Sequence, residues 1–232
     1  MSTSALKHEA GMAMAASPDT DAGRVESLQR EYEVVLGQLK ERFDSGVTTT
    51  LEWRLGQVKA IRRMVVENQE RIAEALHKDL GKHAFESFLS ESAGIVGECD
   101  HCAENLESWM QPQKVSHPLT VQPGSSYIEY KPKGVVLILS PWNYPVFLGL
   151  TKLTCAIVAG NCCVLKPSEV APASAELLEE LINKYLDTDS VKVIQGAVPE
   201  TTALLNLRWD HIFYTGNGAV GRIVASAAAK NL

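Results

Sequence analysis

The chain of 232 residues contains no stretch of roughly 18 consecutive apolar residues, so no membrane span is expected within it. It has no basic block either. Its 22 Lys+Arg are outnumbered by 28 Asp+Glu, for a net charge of −6, which makes nucleic acid a poor candidate partner. Cysteine is sparse: Cys99, Cys102, Cys155, Cys162 and Cys163 show no disulfide-framework spacing, and reduced thiols in a cytoplasmic compartment are the simpler expectation. Residues 1–24 lack the apolar core of a signal peptide, and Glu9, Asp19 and Asp21 argue against a transit peptide. They read as a disordered tail. What remains is ordinary for a globular protein, 45% hydrophobic and 22% charged, with enough length for one large domain or two small ones.

Residues 25–111 read as helical. A first helix is expected over 25–43, broken by Ser45-Gly46. From Leu51 the apolar positions Leu55, Val58, Ile61, Val65, Ile72, Leu76 and Leu80 fall on one face of a single long helix, with Gly81 as its C-cap. A third helix is expected over 85–110. In residues 112–133 the prolines Pro112, Pro118, Pro123 and Pro132 forbid helix, and Tyr127 to Tyr130 alternate like an exposed strand. That segment is a connector or hairpin.

After Gly134 four strand–helix units follow one another. Strands are expected at 135–139, 162–165, 191–194 and 211–214. Helices are expected at 145–159 and 171–186, from Pro199 at a first helical position, and over 218–230. Near-continuous apolar strands alternating with helices specify a parallel sheet covered on both faces, and such sheets bind ligands beyond the carboxyl ends of their strands. Every unusual short motif of this half lies at such an end.

Each motif has a bland reading beside a functional one. In Ser140-Pro141-Trp142-Asn143-Tyr144-Pro145 the two prolines stiffen a turn from which Asn143 can offer an amide N–H to a developing oxyanion. Asn143 equally suits a hydrogen bond to the turn backbone. Lys166 and Glu169, three apart, suit ribose hydroxyls, or a solvated ion pair. Gly216, Gly218 and Gly221 follow the last strand and open a helix, where glycines admit a pyrophosphate to free N–H groups or serve only tight helix–strand packing. Glu98-Cys99-Asp100-His101-Cys102 resembles half a metal site, but no second pair completes it, so no metal is expected and the thiols read as buried on a helix face. Cys162 and Cys163 sit in a strand with side chains on opposite faces, and Cys155 reads as core.

Together these segments resemble the aldehyde dehydrogenase superfamily, its class 3 (fatty and aromatic aldehyde) branch most closely. The resemblance runs from about residue 25 to the end. It is carried by Phe43-Asp44-Ser45-Gly46, Trp53-Arg54-Leu55-Gly56-Gln57, Trp142-Asn143-Tyr144-Pro145, Ala159-Gly160-Asn161, Leu165-Lys166-Pro167-Ser168-Glu169, Gly196-Ala197-Val198-Pro199-Glu200 and Tyr214-Thr215-Gly216. It implies an α/β fold in which amino-terminal helices precede a Rossmann-like parallel sheet, incomplete here. Residues 112–133 would then be the oligomerisation hairpin and 134–232 the NAD(P)-binding units.

The resemblance further implies Asn143 as the oxyanion-stabilising asparagine. Cofactor contacts would come from Trp142, Lys166, Ser168, Glu169, Thr215, Gly216, Asn217 and Gly221, with Asn217 standing where the family commonly has a serine. The implied chemistry is oxidation of an aldehyde to a carboxylate with hydride transfer to NAD or NADP, through attack by a cysteine thiolate and hydrolysis by a glutamate-activated water. The family places that glutamate just after residues 227–232 and the cysteine further on, and none of the five cysteines here matches it. The 232-residue chain is therefore expected to be a fragment inactive alone, and the full-length form a homodimer. A membrane anchor, found in some relatives, would lie beyond this chain. The alternative is a non-catalytic truncated member that binds nucleotide or pairs with a full-length subunit. Glu169 leans toward NAD by repelling a 2′-phosphate.

Overall fold

The structure is a computed structural model that describes residues 18–231. The expected tail lies outside the described residues as far as position 17. From Pro18 the backbone is helical, so α1 (Pro18–Asp44) begins earlier than the sequence pattern suggests.

The single long helix expected after Leu51 is two helices, α2 (Leu51–Glu67) and α3 (Gln69–Leu80). Thr50 caps the first, accepting a hydrogen bond from Trp53 N–H at 3.2 Å, and Gly81 in the left-handed region (φ 67°) ends the second. The break is Asn68, a buried amide at φ −121° whose Nδ2 donates to Met64 O (2.8 Å) and to Tyr185 Oη (3.1 Å). A side chain competing for backbone acceptors interrupts a pattern that apolar periodicity alone carries straight through.

The third helix is divided as well. α4 (Ala84–Ser87) runs into a widened π turn (Phe88–Ser92) and then α5 (Ala93–Trp109). The π turn reverses the usual sorting, since Glu91 is fully buried while Phe88 and Leu89 are exposed. Such turns concentrate at functional sites.

In the connector, β1 (Gln113–Val115) and β2 (Ser126–Ile128) pair antiparallel. The second half then delivers β3 (Val135–Leu139), α6 (Pro145–Val158), β4 (Cys162–Lys166), α7 (Pro172–Tyr185), β5 (Val191–Val193), α8 (Val198–Leu205), β6 (His211–Tyr214) and α9 (Gly218–Ala228). Pro199 falls at the second helical position of α8, behind Val198, rather than the first.

The four strands are parallel in the order β5-β4-β3-β6. Alternate residues of one strand serve two cores. Val136, Ile138, Cys163 and Leu165 pack with α2, α3, α5, α6 and α7, whereas Val135, Leu137, Cys162 and Val164 pack with α1, α8 and α9. Cys162 and Cys163 thus face opposite ways, as expected. The chain winds outward from β3 through β4 to β5, then returns to place β6 on β3's other side. This reversal opens a crevice at the carboxyl ends of β3 and β6.

Carboxylates tie the outer helices to this sheet. Asp79 at the end of α3 accepts from Ala173 N–H (3.0 Å) and Ser174 N–H (2.7 Å), capping α7 from a different helix. Asp187, after α7, accepts from Arg42 Nη2 (2.8 Å), Trp53 Nε1 (2.9 Å) and Ser190 Oγ (2.8 Å). Burial pushes its carboxyl up, but those donors override burial and hold it at about 2, against an ordinary 3.8. A depressed folded-state value means that Asp187 stabilises the fold above about pH 4 and loses that contribution as pH falls toward 2. The urea midpoint is expected to drop between pH 5 and pH 3 in the native chain and to drop less in Asp187→Asn. Identical pH slopes for the two would refute the assignment.

Candidate functional site

A cleft of about 620 Å³ lies at the switch point, walled by the segments that leave β3, β4 and β6 and by α8 and α9. Trp142, Asn143, Lys166, Ser168, Glu169, Thr215, Gly216 and Asn217, singled out on different motifs, all line it.

The turn after β3 presents Asn143 outward. Its Oδ1 accepts the N–H of Tyr144 at 3.1 Å, so the backbone-bonding role is real, and it occupies only the carbonyl end of the amide. The NH₂ end points the other way and is left as a donor. The turn itself is held from beneath. Lys82, buried, donates to the Asn143 carbonyl at 3.0 Å, sits 4.0 Å over the Tyr144 ring and pairs with Glu91. The second oxygen of Glu91 accepts from Val146 N–H (3.0 Å) and Phe147 N–H (2.9 Å), capping the amino end of α6. Lys82 and Glu91 were not picked out from sequence. A carboxylate buried between Phe88 and Val96 carries no signal until the π turn is seen.

After β4, Lys166 is buried and its ammonium donates to Glu169 at 2.8 Å. Burial alone would raise the Glu169 carboxyl, but the Lys166 bond and a backbone N–H outweigh it and keep it below its usual range. The ion pair therefore exists. It also uses only one of three ammonium donors and part of the carboxylate's acceptor capacity, and both residues line the cleft. Ser168 stays in the turn, its Oγ accepting from Val170 N–H at 3.3 Å.

After β6, Thr215 N–H continues the sheet to Leu139 O at 3.3 Å, and Asn217 caps α9 through Oδ1 and Val220 N–H at 3.0 Å. Gly221 does not reach the cleft. It sits behind, where an added Cβ would be 3.4 Å from the Tyr214 ring.

The side wall is apolar. Val198, Thr202 and Leu205 of α8 face Val220 and Ile223 of α9 across a slot, with Val198 72% and Ile223 60% exposed. Sequence reasoning gave these residues no role. The available signal was large apolar residues on the outer faces of two adjoining helices, which flat aromatic ligands exploit. Ser140 also lines the cleft, but its hydroxyl is buried toward Gly149 of α6.

None of the five cysteines lines this cleft. Cys99 and Cys102 lie buried in α5, where burial pushes their thiols to about 11 and about 12. Asp100 beside them is taken by Arg62, which separates the acid from the thiols of the metal-like motif. Cys155 is exposed, contrary to the expectation of a core position. Cys155 shares the outward flank of α6 with Leu148, Thr151 and Lys152, beside Glu98, in a helix that is otherwise mostly apolar.

An open parallel sheet with a switch-point cleft, an acid–base pair after the second strand and a helix amino end after the fourth define a Rossmann-like domain. The chain belongs to the aldehyde dehydrogenase family, whose sequence pattern it matches over residues 23–232. It is 46% identical over 201 residues to aldehyde dehydrogenase family 3 member B1 of Rattus norvegicus, a match covering 87% of this chain and 43% of that protein. Among solved structures, Staphylococcus aureus AldH in a substrate-bound state superposes with TM-score 0.84 at 35% identity, over 86% of this chain and 44% of that one. Betaine aldehyde dehydrogenase of Staphylococcus aureus, in complex with NAD+, does so with TM-score 0.77 at 25% identity, over 88% and 41%. The chain thus spans less than half the length of the relatives it matches.

Proposed function

We propose that the cleft binds NAD or NADP and that the chain is the nucleotide-holding part of an enzyme oxidising an aldehyde to a carboxylate. The observation that carries this is one edge of one sheet presenting, side by side, an apolar slot, the Lys166–Glu169 pair and the amino end of α9. A dinucleotide has an aromatic base, a ribose and a pyrophosphate in that kind of succession. The NAD+ complex of the betaine aldehyde dehydrogenase supports the same reading.

The chain's residues divide the work. The α8–α9 slot takes the adenine, excluding water from its faces. Glu169 accepts from ribose hydroxyls while Lys166 donates, and its ionised carboxylate disfavours a 2′-phosphate, so NAD is preferred over NADP. The loop from Thr215 and the first N–H groups of α9 receive the pyrophosphate. The Asn143 amide donates to an oxygen that gains negative charge when the aldehyde carbon is attacked. The bound dinucleotide supplies the hydride acceptor. No thiol of this chain lies in the cleft to make the attack. The covalent step is accordingly assigned to residues outside these 232.

The same proposal includes a cytoplasmic location and a homodimer of the full-length protein. The latter draws on the β1–β2 hairpin, where Leu119, Tyr127 and Tyr130 are exposed. Among the described residues no helix is long and apolar enough to cross a membrane.

Titration of the purified chain with NAD, read by quenching of Trp142 fluorescence at the cleft, is expected to saturate. An aldehyde oxidation assay on the same preparation is expected to give no turnover. Absence of saturation would refute nucleotide binding. Turnover would refute the placement of the thiol chemistry elsewhere.

A further inference from the structure

We propose that Tyr214 is a positioning residue that sets the phosphate-facing loop through its hydroxyl, a role that rests on the nucleotide reading above. Tyr214 is the last residue of β6 and lines both the cleft and the groove behind the strand. Its hydroxyl reaches under the loop and donates to the Asn217 carbonyl at 3.0 Å. That carbonyl also accepts the Gly221 N–H at 3.0 Å, so it is held from two sides.

The consequence follows from the planar trans peptide. A carbonyl fixed toward Tyr214 and Gly221 obliges the N–H of the same peptide unit, that of Gly218, to point the opposite way. Asn217 Oδ1 has already taken the Val220 N–H, which leaves the N–H groups of Gly218 and Ala219 as the donors at the amino end of α9. Tyr214 thereby aims the group that a phosphate oxygen would accept.

The glycines nearby read differently once Tyr214 is in view. A Cβ on Gly216 would fall on the Tyr214 hydroxyl, whereas one on Gly221 would only touch its ring, at 3.4 Å. Gly218 differs: a Cβ there would have nothing closer than Arg222 Nη1 at 3.9 Å. Of the three glycines in the pattern, Gly216 is the one whose bare backbone makes room for the tyrosine.

The test uses the full 232-residue chain and two probes, ADP, which carries the pyrophosphate, and adenosine, which does not. Tyr214→Phe keeps the ring and removes only the tether. Loss of one hydrogen bond predicts ADP affinity weakened about 3- to 10-fold, adenosine affinity within about twofold and a nearly unchanged melting temperature. Gly216→Ala, which displaces the same hydroxyl from the other side, is expected to reproduce the ADP-selective loss. Unchanged ADP affinity in Tyr214→Phe, or equal losses for both probes, would overturn the role of Tyr214 while leaving nucleotide binding intact. A native chain that binds neither ADP nor NAD would overturn the nucleotide reading, and Tyr214's role with it.

Discussion

Glu91→Ala is expected to destabilise the chain by about 3–5 kcal/mol, because it strands a buried lysine. Glu91 is fully buried and satisfies Lys82 with one oxygen and the Val146 and Phe147 N–H groups with the other. Alanine leaves the Val146 and Phe147 N–H groups without their acceptor and the buried Lys82 without its counter-ion, holding only the Asn143 carbonyl. For a domain of this size the cost corresponds to a fall in melting temperature of roughly 10 °C. Two further variants separate the causes. Glu91→Gln keeps an acceptor and removes the charge, and is expected to recover part of the loss. The double variant Lys82→Met with Glu91→Leu removes both charges, and is expected to recover the part of the loss due to the stranded lysine, but not the part due to the Val146 and Phe147 N–H groups. A Glu91→Ala chain melting within a degree or two of the native one would show that the buried pair does not act this way.

The largest effect on binding is expected from Lys166→Ala. Lys166 is buried beneath the cleft, and its removal deprives the ribose of a charged donor and Glu169 of its counter-ion. A hydrogen bond to a charged group contributes about 1.5–3 kcal/mol, which translates to NAD affinity weakened roughly 10- to 100-fold. The unpaired Glu169 carboxyl should then rise from its depressed value, since the bond that outweighed burial is gone. Titration with NAD and with ADP checks this, and both should weaken together because the ribose belongs to both. Equal NAD affinity in native and Lys166→Ala chains would remove Lys166 from the site.

Much of this was legible beforehand. Strand–helix alternation after Gly134 placed the four strands within a residue or so, since branched apolar runs buried on both faces have few other uses. The motifs after β3, β4 and β6 were expected at one edge and meet there. Asn68 interrupts an amphipathic pattern because its amide finds Met64 O and a tyrosine 117 residues away, which periodicity cannot register. Cys155 turned outward because it lies on the flank of α6 that Thr151 and Lys152 mark, a polar signal outweighed by the apolar composition of the rest of the helix.

The sequence by itself determined the class of fold, the edge of the sheet at which its unusual motifs gather and, through those motifs, the family. Those properties reside in local pattern: the period of apolar residues, the positions of proline and glycine, and short runs at strand ends. Only the tertiary structure decided how the site is held and what completes it. The buried Lys82–Glu91 pair supports a turn 61 and 55 residues further on, the slot needs α8 and α9 side by side, and a Cβ on Gly216 would strike the Tyr214 hydroxyl. Each depends on atoms brought together across the chain, where desolvation turns a charge or a hydroxyl from an ordinary surface group into one that must find a partner.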